Sequence, residues 1–405
     1  MTRVPRRVFA GLVPVYLSVF LFVAGGSALQ VLMPVYLHRE AELGPTAIGA
    51  VIAMIGIAAL AARVPVGMAY SVARGRLFML AGGALSAAAF ALVPFTTNAV
   101  ALGVLMAMNG LGWSIATTTQ LALLVARPPG GASTAVAMGW FSGATALGNV
   151  AAGVLGGGIA DLAGLRPTFF LLAGTPLVGA LLTARTVRAL DGQRLETGQR
   201  RERPSLALLT AMPLAVWVGV LVMFFINAMN AVTNAFHPVI ALGAGLSLTQ
   251  IGALSSVRSW ASSFSRFGSG PLFRRLEAGS LTLPLVIAGA GATAAIPGVI
   301  GSFVFQIPLF ALAGVSRGLL RVTGSADAFD SVGADERRHG LVAAFLYGGL
   351  DLGKVVAPVI GGVVAGFVGI KTMFVVVPLG FLALYLVLAI PARRTMAAAP
   401  RTEAP

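Results

Sequence analysis

Long apolar stretches recur from one end of the chain to the other, and they limit what it can fold into more than any other feature. A helix that crosses a bilayer needs roughly 20 predominantly apolar residues. Twelve stretches approach or exceed that length, at approximately 9–34, 48–70, 77–94, 99–126, 134–160, 168–186, 208–237, 251–270, 281–296, 301–324, 341–367 and 372–390. With 57% hydrophobic residues, 10% charged residues and a mean hydropathy of +0.91, such a chain does not stay dissolved as a water-soluble globule. The predicted class is an all-α integral membrane protein of twelve transmembrane helices. The first stretch follows Arg3, Arg6 and Arg7 but is too long for a secretory signal and lacks a small-residue cleavage site, so it reads as an uncleaved span. Cysteine is absent, which excludes disulfides and thiolate metal sites.

The formal charge of +15 invites a nucleic-acid reading, which the placement of the basic residues answers. Most of the 28 lie in alternate loops and at the termini, including Arg74, Arg76, Arg127, Arg185, Arg200, Arg201, Arg274, Arg275, Arg337, Arg338, Arg393 and Arg394. The opposite loops hold Arg39, Arg166 and Lys371. The positive-inside rule therefore predicts cytoplasmic termini in a multi-pass protein of a bacterial plasma membrane. Topology and anionic lipid account for the charge, and no nucleic-acid partner is needed.

One polar segment, 189–204, follows the sixth stretch and reads as a charged linker. It separates a six-helix block at 1–188 from a second at 205–405. The blocks match each other. Thr46-Ala47-Ile48-Gly49-Ala50 recurs as Thr249-Gln250-Ile251-Gly252-Ala253, and at the same spacing of about 203 residues Arg63 faces Arg266 and Gly67 faces Gly270. Pro34-Val35 faces Pro238-Val239. Further on, Gly143, Leu147, Gly148, Ala152, Gly156, Gly157, Gly164 and Phe169 face Gly348, Leu352, Gly353, Ala357, Gly361, Gly362, Gly369 and Phe374. Six spans per block preserve orientation, so the repeats are parallel.

With these repeats the chain resembles the major facilitator superfamily. The resemblance implies two six-helix bundles, a cytoplasmic linker, and alternating access to a midplane cavity lined by helices 1, 4, 7 and 10. The family's loop signature after helix 2 is matched by Gly67 and the Arg74-Gly75-Arg76 cluster, with Ser71 where the family has an acid. The exporter signature of helix 5 is similar to the run from Gly148 through Gly153 to Gly157, and its repeat partner from Gly353 to Gly362 keeps the proline, Pro358. Small residues four apart also let membrane helices pack closely, which explains the same pattern without coupling.

A charge at the centre of a spanning helix costs roughly 2.5 to 3.5 kcal/mol on insertion scales, so polar groups there should face protein or water. Arg317 and Arg321 share one face of helix 10; either they meet an anionic substrate or they snorkel and pair with Asp327 and Asp330. Asn227, Asn230, Asn234 and His237 form a polar stripe on helix 7 that reads as a cavity wall or as interhelical hydrogen bonding. Asn109, Trp113, Thr117 and Gln120 form a weaker stripe on helix 4, and Gln30 is the candidate on helix 1. Asp351 is the one carboxylate well inside a span, a candidate for proton coupling or for an ion pair with Lys354 and Arg258. Arg63, Gly67, Arg74, Arg76, Arg266, Gly270, Gly148, Gly153 and Pro358 are assigned gating or structural roles.

Gly314-Val315-Ser316-Arg317-Gly318 fits a hydrolase pattern, but it lies within an apolar helix and not at a strand-to-helix turn. No Walker sequence and no metal-ligand cluster is present, so neither an enzyme nor an ATP-driven pump is expected, and no cofactor or metal. The expectation is a monomeric secondary transporter for a small-molecule substrate, exporting small organic compounds against protons. Uptake of a small anionic metabolite or sugar is the alternative; a non-transporting membrane receptor is the reading of another class.

Overall fold

A computed structural model describes residues 6–69, 74–126, 134–190, 212–273, 278–332 and 336–398. They form twelve long helices: α1 (Arg6–Arg39), α2 (Pro45–Ala69), α3 (Gly75–Leu92), α4 (Ala99–Ala126), α5 (Thr134–Ala163), α6 (Leu165–Leu190), α7 (Leu214–Gly243), α8 (Leu248–Phe267), α9 (Ala278–Ala295), α10 (Phe303–Asp330), α11 (Glu336–Val368) and α12 (Ile370–Ala398). The linker assigned to 189–204 lies outside the described residues from 191 onward. Eleven of these helices are long and apolar enough to cross a membrane. The exception is α8, which its two arginines and six serines make polar. Ser256, Arg258, Ser262 and Ser263 are buried against protein, so this polarity is turned away from lipid.

The packing scheme of α1–α6 is repeated by α7–α12. Helix α1 packs on α5 and α6, α2 on α4, and α3 on α4 and α6; α7 packs on α11 and α12, α8 on α10, and α9 on α10 and α12. Across the middle, α5 lies against α8 and α2 against α11, with α1 meeting α7 on the axis between them. Glycines fix the register. Gly110 sits where a side chain would strike the Ile55 carbonyl, and Gly314, at the equivalent position, sits under the Arg258 carbonyl. Gly164 and Gly369 turn α5 into α6 and α11 into α12 with φ of +88° and +81°, a conformation open to glycine and strained for other residues. The Phe169 and Phe374 rings that follow are both fully buried.

The two halves meet at the end of the bundle where α5 and α11 finish and α2 and α8 begin. Gly153 and Gly252 face each other's carbonyls, Gly157 faces that of Leu248, and Gly49 faces that of Pro358. Asp161, near the end of α5, accepts hydrogen bonds from the Leu248 and Thr249 backbone amides at 3.0 and 2.8 Å and from Thr249 Oγ1 at 2.6 Å. On the other seam Thr46 Oγ1 donates to the Gly362 carbonyl at 3.2 Å. Towards the opposite end Gly139, Gly143 and Gly348 have no such neighbour within 4 Å. The close backbone contacts between the halves thus gather at the end where α2 and α8 begin.

Candidate functional site

Gln30, in the last third of α1, is exposed although its flanks on both sides are buried. Its Oε1 accepts from Asn234 Nδ2 at 2.7 Å, joining α1 to α7. Asn234 Oδ1 in turn accepts from Arg258 Nη2, and the Arg258 guanidinium lies 5.6 Å from the centre of the Phe310 ring. Arg258 is 5% exposed, and its Nε and Nη1 are buried without a hydrogen-bond partner. Asn230 Oδ1 is a buried acceptor in the same condition.

Arg317 stands beside this chain. It lines one small cavity together with Arg258 and Asn230. Among the described residues the ion pairs join Arg63 and Lys354 to Asp351, and Arg166 to Glu40, so the alternative in which Arg317 and Arg321 pair with Asp327 and Asp330 has no ion pair to support it. Arg321 lies over the Tyr347 ring at 5.9 Å, and Arg266 donates to the Ser262 carbonyl and the Ser263 hydroxyl.

Asp351 is held elsewhere. Arg63 Nη2 lies 3.2 Å from its Oδ2 and Lys354 Nζ 3.4 Å from its Oδ1, an ion pair that ties α2 to α11. Arg258, expected to reach this carboxylate, does not, because α8 packs on α5 and α10 whereas α11 packs on α2 and α7. Asp351 is nearly buried at 5% exposed, while Arg63 and Lys354 keep 36% and 45% of their side chains in the open.

The polar stripe of α7 splits among partners. Asn227 Nδ2 donates to the Leu350 carbonyl at 2.7 Å, and His237 Nε2 shares a 2.7 Å hydrogen bond with Gln306 Oε1 beside Phe310. Only Asn230 and Asn234 turn towards the arginines. On α4, Gln120 is buried and donates to Ser18 Oγ at 2.8 Å, Asn109 is buried, and Thr117 donates to its own helix. Trp113 packs against Phe22, Met79 and Val23. Gly148 lets α5 approach the Phe20 carbonyl of α1, and Gly153 and Pro358 are cross-half packing positions. Arg74 and Arg76 are exposed at the start of α3, Gly67 lies in α2, and Gly270 lies in a short helix, Ser269–Phe273, with open space around it.

The model of the Major Facilitator Superfamily matches residues 15–338. The chain belongs to that superfamily. It is a multi-pass membrane transporter and not an enzyme. No curated protein matches this major facilitator protein. Among solved structures it is similar to the nucleoside transporter NupG, with a TM-score of 0.73 and 14% identity over 96% of this chain and 100% of that one. It is also similar to a bacterial homologue of the human lysosomal transporter Spinster in an inward-facing, unoccupied conformation, with a TM-score of 0.76 and 14% identity over 98% and 99% of the two chains. At that identity the likeness concerns the fold.

Sequence reasoning missed that Arg258 belongs with Arg317. The signal was present in the discarded hydrolase pattern. Gly314 and Gly318 receive the carbonyls of Arg258 and Ser262, so α8 comes close to α10 and Arg258 is set beside Arg317. Small residues four apart on one helix mark a partner helix's seat, and the partner's polar residues arrive with it.

Proposed function

We propose that this transporter is a secondary carrier of small organic anions, working by alternating access, with the blocks 1–188 and 205–405 moving about the segment that joins them. One observation supports the anion most directly. Six cations lie within the spans, Arg63, Arg258, Arg266, Arg317, Arg321 and Lys354, and the one carboxylate far from any span end, Asp351, is committed to Arg63 and Lys354. The four arginines of α8 and α10 have no acidic partner among the described residues, and uncompensated charge at that depth is expensive unless a ligand neutralises it.

The same geometry gives Asp351 a structural task, since it ties Arg63 of α2 to α11 beside Lys354. Export of cationic drugs would require acids that this cavity does not offer. Direction follows from the prevailing gradients, since a carrier of this kind runs either way. With the termini in the cytoplasm, as the basic loops imply, the close contacts between the halves lie at the outer end.

The test is binding and flux in proteoliposomes with a panel of carboxylates, phosphates, neutral nucleosides and lipophilic cations. Anions should drive counterflow, and Arg317→Gln should reduce it at least tenfold. Flux of cations or nucleosides that Arg317→Gln leaves intact would defeat the anionic reading. Flux of the preferred solute that responds to an imposed pH gradient would restore proton coupling.

A further inference from the structure

Between α7, α8, α9 and α10, off the central axis and inside one bundle, lies a small cavity of about 20 Å³ walled by Asn230, Thr233, Arg258, Thr293, Ser316 and Arg317. Its polar groups are unfinished: Arg258 Nε and Nη1 and Asn230 Oδ1 are buried with nothing to bond. Buried polar atoms are nearly always satisfied, and a guanidinium with two idle donors in a cavity whose other walls include Phe225, Ile226, Met229 and Leu320 is short of an acceptor.

The other bundle shows what the same place looks like when it is not a site. The residue equivalent to Arg317 is Trp113, that equivalent to Arg258 is Ile55, and that equivalent to Asn230 is Gly26, in the register fixed by Gly110 and Gly314. A Cβ on Gly26 would stand 2.7 Å from Trp113 Cζ3, so the indole occupies the volume. One repeat has filled this pocket with an apolar ring; the other has lined it with two cations and left it hollow.

We infer that this side pocket is the seat of the solute's acidic head group, a carboxylate, held by Arg258 and Arg317 with Asn230 at its edge, while the rest of the solute extends into the central cavity. The assignment rests on the anion reading above and adds where the charge goes and how large it is. A carboxylate has two acceptor oxygens for the idle donors and suits a cavity with room for about one or two waters. A phosphoryl group is bulkier. Because all the ligands belong to the second bundle, the head group stays with that bundle while the first one moves past it.

The experiment measures the detergent melting temperature of the full chain against formate, acetate, inorganic phosphate and chloride at matched ionic strength. Acetate and formate are expected to stabilise the wild type more than chloride, with apparent Kd at least tenfold below that for phosphate. Arg258→Gln and Arg317→Gln should each raise the acetate Kd tenfold or more, whereas Arg166→Gln, at an exposed loop pair, should not change it. Arg317→Lys guards against misfolding: it keeps the charge and should keep part of the affinity. Equal losses in Lys354→Gln and Arg321→Gln would overturn the pocket and leave the anion reading standing. Stabilisation by phosphate as strong as by acetate would overturn the carboxylate. A wild type indifferent to every anion would overturn both readings together.

Discussion

Gln30 and Asn234 occupy equivalent positions in the two repeats, 204 residues apart, and are hydrogen-bonded to each other across the axis that relates them. The bond is the polar contact between α1 and α7 at the head of the cavity. Asn234 carries the second task of accepting from Arg258, so the two ends of the pair are unequal. Asn234→Ala should cost more than Gln30→Ala, about 1–2 kcal/mol against under 1, given what interhelical hydrogen bonds are worth in membranes. Melting temperatures of the single and double variants in detergent measure this; equal losses would show that Arg258 does not lean on Asn234.

The Asp351 pair is predicted to be lopsided as well. Asparagine at 351 leaves Arg63 and Lys354 unpaired, yet both keep a third or more of their side chains exposed and can be hydrated. Removing both cations strands a nearly buried carboxylate, for which a loss of about 3–5 kcal/mol is expected. The double variant Arg63→Gln/Lys354→Gln should therefore be less stable than Asp351→Asn, and adding Asp351→Asn to it should recover most of the loss. Thermal denaturation of the three proteins gives the order.

Gly153 abuts the Gly252 carbonyl at the end where the halves meet, so any side chain there pushes α5 from α8. Gly153→Val should favour the state in which that end is open. The chain has no cysteine, so Gln30→Cys supplies a single label without background. Labelling by a membrane-impermeant maleimide should rise from the side of the α5–α8 contact and fall from the other; unchanged labelling would show that the seam does not set the equilibrium.

Asp161 bridges to the amino end of α8, where its charge meets the positive end of the helix and two free amides. Asp161→Ala should cost about 0.5–2 kcal/mol at this contact. Asp161→Asn, which keeps an acceptor but no charge, should cost less. Both should shift maleimide access in the direction of Gly153→Val, and by less than it does.

The repeat was legible in the sequence because the glycines that carry it do mechanical work at helix crossings and turns, where only a hydrogen side chain fits. Gly164 and Gly369, Gly157 and Gly362 align in the sequence itself. The span count was legible from hydropathy, although α8 escapes that criterion through serines that face protein. The site was legible only in part. Arg317 stood out because charge in lipid is costly, but which acid or amide it lacked depended on which helices are neighbours. The neighbourhood of Asp351 and Lys354 could be read from their spacing of three, whereas Arg63, 288 residues away, could not, since helix adjacency across the seam leaves no mark in a single sequence. The stripe on α7 looked like one wall because its residues share a helical face, yet four different helices meet that face.

The excess of positive charge in the cavity carries an electrical consequence. When the bundle rocks, the membrane field falls across a different portion of the cavity, and the unmatched arginines pass through part of it, each worth up to about 2.3 kcal/mol per 100 mV. A bound anion cancels some of that work. On the anion reading proposed above, voltage should therefore act most strongly on the vacant return stroke.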